Sequence, residues 1–164
     1  MVPPNMIFQA TLVLSVGFAF WKGGPPERLC AAVIVAMAVI QPIAHLVIPT
    51  RFDKIDIVNL TIDLMAFAGM TAIALFADRK WPSWTAALQL LACAAHFVRI
   101  LSIKVEPLVY ATMTVGPTFA VFCILVIGTE MHRRRLQRLG VDPSWATSLP
   151  PPSWMRLRDR SSKS

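Results

Sequence analysis

The chain has 164 residues, 55% of them apolar and 15% charged, and a formal net charge of +7. Soluble domains average about 25% charged residues, so the composition excludes an ordinary soluble fold and places most of the chain in a bilayer. Three cysteines, an odd number and without a CxxC pair, exclude a disulfide framework and a zinc knuckle.

Five apolar runs follow one another. The first, Met6–Trp21, is short for a span. No Lys or Arg precedes it, and it ends in Trp21-Lys22 where a small-residue cleavage site would be needed, so it reads as a retained helix and not a signal peptide. The others are Leu29–Ile48, Ile57–Ala77, Trp84–Ile103 and Pro107–Gly128. Each holds about 20 residues, which at about 1.5 Å per residue matches a hydrocarbon core of about 30 Å. Gly23-Gly24-Pro25-Pro26 breaks the chain before the second helix and leaves Glu27 in its first turn, where negative charge suits the dipole. Trp81-Pro82-Ser83-Trp84 is a second break, with Ser83 as N-cap of the fourth helix. Pro42 and Pro117 should free the carbonyls of Ala38 and Met113. They either shape packing or splay the helix ends into a vestibule. The last helix continues over Glu130–Leu139 to a C-cap at Gly140.

The expected fold is therefore all-α: a polytopic transmembrane bundle of five spans, the first one marginal, over residues 1–130, with a basic tail over 131–164. Short loops make consecutive helices antiparallel neighbours. Ala66, Gly69 and Ala72 allow close helix contact, and Cys30, Cys93 and Cys123 read as small buried hydrophobes.

Charge placement sets the orientation. Twelve of the sixteen cationic residues fall in loop one (Lys22, Arg28), loop three (Arg79, Lys80) and the tail. These regions share one side, and the positive-inside rule makes it cytoplasmic, with the N-terminus outside. Trp21, Trp81 and Trp84 then belong to an aromatic belt at that interface. The charge is a topology signal and implies no nucleic-acid partner.

Ionisable groups within the apolar runs carry the functional signal, because an Asp or Arg at mid-helix costs about 2.5–3.5 kcal/mol to insert. Asp56, Asn59 and Asp63 step by three and four, as do Gln89, Cys93, His96 and Arg99, and Gln41 lies four before His45, so each set forms a stripe on one helix face. By about 1.5 Å per residue, Asp63, His96 and Gln41 all lie about 10 Å from the outer ends of their helices. A polar network of Asp63, His96, Arg99, His45, Asn59 and Gln41 is expected there, with Tyr110, Thr112 and Thr114 as further hydroxyls. It reads as a structural Asp63–Arg99 pair relayed by His96, or as an outward pocket for a proton, ion or small molecule.

No cofactor is expected, the alternative being haem b held by His45 and His96, and no metal site is expected because HxxxH and HExxH are lacking. No catalytic residues are expected: GxSxG and a Gly-rich phosphate loop are also missing. His132 reads as solvated in the basic tail. There, Arg133, Arg134, Arg135 and Arg138 would meet anionic headgroups, each worth about 1 kcal/mol. Pro-Ser-Trp occurs twice, ending in Trp145 and Trp154, on a stretch expected to be extended and mobile unless lipid or a partner holds it.

The segments 21–28 (WKGGPPER), 77–90 (ADRKWPSWTAALQL) and 128–134 (GTEMHRR) resemble a family of small polytopic inner-membrane proteins of alphaproteobacteria, of the sphingomonad type. The resemblance runs over residues 7–145 and implies a location in the bacterial inner membrane; the family has no assigned activity. The expected function is a non-catalytic accessory or assembly subunit of a larger membrane complex. The alternative is an autonomous binding or translocation protein, as a homo-oligomer, built on the outer polar pocket.

Overall fold

The computed structural model describes residues 4–47, 57–100, 107–140, 142, 144 and 145; the side chains of 4, 5, 97–100, 107–112 and 114 lie outside that description. It is all-helical: α1 (Pro4–Lys22), α2 (Pro25–Val47), α3 (Ile57–Phe76), α4 (Trp81–Ile100) and α5 (Pro107–Leu139). Among the described residues, three helices are long and apolar enough to cross a membrane, covering Pro25–Val47, Ile57–Phe76 and Val115–Leu139.

Two helices begin earlier than expected, because proline sits in their first turns and does not break them. Helix α2 starts at Pro25 and α4 at Trp81, ahead of the expected Leu29 and Trp84. Proline is tolerated in a first turn, where its missing N–H would have no intrahelical partner anyway. Gly23 and Gly24 alone make the first break, and Ser83 lies inside α4 instead of capping it. A Cβ on Gly23 would lie 2.4 Å from the Ala19 carbonyl oxygen, so the chain can turn there only without a side chain. At the far end Gly140, with φ of +72°, closes α5 and donates from its N–H to Leu136 O at 3.0 Å.

Consecutive helices pack side by side, α5 returns to α1, and α2 touches α5 across the middle, so the bundle is a closed ring. Gly69 lets α3 approach Val33 of α2 closely. Ala66 is buried, whereas Ala72 faces outward. Met70, Ile34, Val121, Phe122 and Leu125 form the centre, with Phe8 set edge-on to Phe119 at 5.3 Å. Cys30 and Cys93 are buried as expected, but Cys123 is exposed.

The distribution of polarity is inverted relative to a soluble protein. Leu14, Leu46, Met65 and Leu75 face outward, while Ser15, Thr85, Gln89, His96 and Thr129 are buried. The hydroxyls of Ser15, Thr85 and Thr129 donate to carbonyls three or four residues earlier, at 2.7–3.0 Å, satisfying themselves within their own helix. An apolar exterior over internally paired polar groups is what a hydrocarbon solvent demands.

Candidate functional site

Two polar clusters occupy opposite ends of the ring. The first gathers the stripes on α2, α3 and α4. Gln89 donates from Nε2 to Asp63 Oδ1 at 3.1 Å, and His96 Nε2 lies 2.9 Å from Asp63 Oδ2. A carboxylate only accepts, so His96 carries its hydrogen on Nε2. One helical turn away on α3, Gln41 Nε2 donates to Asn59 Oδ1 at 3.0 Å, and His45 Nε2 reaches the same oxygen at 3.1 Å. Spacing by four brings this about: Asn59 and Asp63 project from one face of α3, the first towards α2 and the second towards α4.

Gln41, Asn59, Asp63, Gln89 and His96 border a chamber of about 410 Å³ enclosed between the helices. All five helices line it: Phe8 and Leu12 from α1, Ile34, Met37, Ala38 and Gln41 from α2, Asn59, Asp63 and Met70 from α3, Gln89 and His96 from α4, and Val115, Thr118, Val121 and Phe122 from α5. Volumes of about 300–1,000 Å³ are typical of small-molecule sites. Pro42 follows Met37, Ala38 and Gln41, and Pro117 lies between Val115 and Thr118, so both prolines sit inside continuous helices at the level of the chamber. His45, next to Gln41 on its stripe, is not part of the wall.

The side chains of Arg99, Tyr110, Thr112 and Thr114 lie outside the described residues, as do Trp154 and the rest of the tail beyond Trp145. Among the described residues no cation from Lys or Arg pairs with Asp63, and no group of three His, Cys, Asp or Glu could hold a metal. His45 and His96 each direct Nε2 to a separate partner, Asn59 and Asp63.

The second cluster lies where loop one, loop three and the end of α5 meet. Arg79 is buried, its Nη1 3.3 Å from Glu27 Oε1 and its Nη2 donating to Asp142 Oδ2 at 2.5 Å. His132 Nδ1 is 2.6 Å from the same Asp142 oxygen. Since that oxygen accepts, His132 carries hydrogen on Nδ1, and its 3.2 Å approach to Arg79 Nη2 reflects two donors converging on one acceptor. Burial pushes the Asp142 carboxyl up, but hydrogen bonds from Arg79 and His132 outweigh it and hold the group below its ordinary value. Glu27 and Arg79 form an ion pair without aligned hydrogen bonds: both Glu27 oxygens and Arg79 Nε and Nη1 lack one among the described residues.

This cluster corrects several sequence readings. His132 is buried, not solvated, because Gly24 leaves room for its ring; a Cβ there would lie 2.8 Å from His132 Cε1. Arg79 is buried and paired, and Trp81 packs flat on Gly128 inside the bundle, whereas Trp21 and Trp84 face outward. The start of the tail is held: Ala77 and Trp145 form an isolated antiparallel bridge, and the Asp78 N–H donates to Ser144 O at 3.3 Å. Arg133, Arg134, Arg135 and Arg138 lie along the outward part of α5, where Arg133 and Arg134 pair with Glu130 and Arg135 comes within 4.0 Å of Asp142.

Comparison of the chain with protein-family models, with curated proteins and with solved structures found no match.

Proposed function

We propose that this chain is an autonomous multi-pass protein of the bacterial inner membrane that binds a small molecule in its central chamber. All five helices cross the bilayer in this reading, with the N-terminus outside, the tail in the cytoplasm and the chamber in the outer half. The observation that carries it is the wall itself: Asp63, Gln89 and His96 converge on one side of a cavity of about 410 Å³ whose other walls are largely apolar. A carboxylate inside a helix bundle is costly to keep and marks a functional position by default. Mixed polar and apolar walls suit a ligand fixed by a few hydrogen bonds and held by burial.

The second reading is the accessory or assembly subunit, which needs no chamber. It is favoured by the exposed basic end of α5, beside a Trp145 segment that could engage a partner. Native size and composition separate the two. The tagged protein is extracted from its own membranes in mild detergent, and its particles are sized and identified by proteomics. Migration alone or as a homo-oligomer supports the autonomous reading. Co-migration with defined partners in a large particle contradicts it and names the complex served.

A further inference from the structure

Resting on the small-molecule reading above, we infer that the chamber takes an organic cation with an apolar body. The inference comes from the accounting of charge and lone pairs on the wall. Asp63 is the sole formally charged carboxylate among the described lining residues, and none of them is Lys or Arg. Each of its oxygens accepts one hydrogen bond from the protein, from Gln89 and from His96. A carboxylate oxygen accepts about two, so each retains capacity towards the chamber. The remaining polar wall groups are carboxamides and a hydroxyl, neutral dipoles that orient a ligand without neutralising the carboxylate.

The apolar wall points the same way. Phe8 and Phe122 form a tilted pair with centroids 5.4 Å apart, and Met37 and Met70 line the same space. Aromatic faces attract cations, and thioethers are polarizable fillers of irregular space. An anion would meet the carboxylate with no described Lys or Arg on the wall to offset it, and His96 already gives its Nε2 hydrogen to Asp63. A neutral apolar ligand would leave the carboxylate's outstanding acceptor capacity without a donor, at the cost of an unmet buried polar group.

The test uses three benzyl ligands of similar size and different charge: benzylammonium, whose N–H groups can donate to Asp63, its neutral carbon isostere ethylbenzene, and the anion phenylacetate. Binding is measured to the full-length protein in nanodiscs of zwitterionic phosphatidylcholine, with Ala38→Trp, which fills the chamber, as the blank for partition into lipid. The cation should bind the wild type at least tenfold more tightly than either rival, and Asp63→Asn should abolish that preference. The Asn side chain can still accept from Gln89, and its amide can donate to the other tautomer of His96, so the fold should hold. As a second variant independent of Asp63, Gln41→Glu adds a carboxylate to the wall and should strengthen cation binding. If the isostere or the anion binds as tightly as the cation and Ala38→Trp removes it, the cation inference is overturned and the small-molecule reading stands. If none of the three shows binding sensitive to Ala38→Trp, the cation inference falls outright, and the small-molecule reading is then judged by the material that co-purifies with the protein.

Discussion

Arg79→Ala should severely destabilise the bundle. The Glu27 and Arg79 side chains are 0% and 1% exposed and that of Asp142 is 6% exposed, so removing the guanidinium leaves Glu27 enclosed without its described ion-pair partner and Asp142 with His132 and the more distant Arg135. Breaking a buried ion pair by removing one partner costs about 3–5 kcal/mol, because the orphaned charge remains desolvated. Replacing both members is milder, so Glu27→Gln combined with Arg79→Gln should lose less than the sum of the single changes, with a coupling of about 1 kcal/mol or more. The assay is reversible unfolding in mixed micelles, followed by helical circular dichroism. Arg133→Ala serves as control, since Arg133 pairs with Glu130 on the outer surface with 46% of its side chain exposed; exposed pairs add little. If Arg79→Ala moves the transition no further than Arg133→Ala, the enclosed cluster does not hold loops one and three to the end of α5, and the reasoning fails.

Other predictions test the same geometry. Because the Asp142 carboxyl is held below its ordinary value of 3.8, its contribution is present above that value and lost as pH falls through the lower folded value. Unfolding midpoints of the wild type and Asp142→Asn should therefore converge as pH drops below 3.8 and separate above it, with Arg79, His132 and Arg135 as the neighbouring cations. Gly128→Ala would place a Cβ 2.9 Å from the Trp81 ring and should destabilise by about 1–3 kcal/mol, the usual range for overpacking. Gly17→Ala meets nothing within 4 Å, and thermal unfolding should show no loss and a gain of up to about 1 kcal/mol from helix propensity. In inverted membrane vesicles, trypsin should cleave Asp142→Asn faster than wild type next to Arg79 and Lys80, because the segment ending in Trp145 no longer anchors that loop.

The helices were legible because each is a continuous apolar run, and hydrocarbon length is a strong signal. The chamber wall was half legible. Steps of three and four on α3 and α4 pick out Asn59, Asp63, Gln89 and His96 as two stripes, and these are faces that meet. Gln89 lies four and seven residues before Cys93 and His96 on the same stripe, but a neutral side chain costs less to insert than a charge and so gives a weaker signal. The opposite cluster was not legible. Arg79, His132 and Asp142 come from separate segments, 53 and 63 residues apart from Arg79, and each alone looks like a loop charge. No periodicity links them; a ring that closes α5 on α1 brings them together. Gly24, a residue whose missing Cβ makes room for His132, was the one local hint, and it reads in sequence as a plain chain break.

The account stands or falls on whether the chamber holds a small molecule. Native mass spectrometry of the protein released from nanodiscs made from its own membranes addresses this directly, comparing wild type with Ala38→Trp. A discrete adduct of small-molecule mass on the wild type, missing from the folded Ala38→Trp variant, is the predicted result. Identical spectra for the two proteins, both bare or both carrying only loosely held lipid, would contradict it.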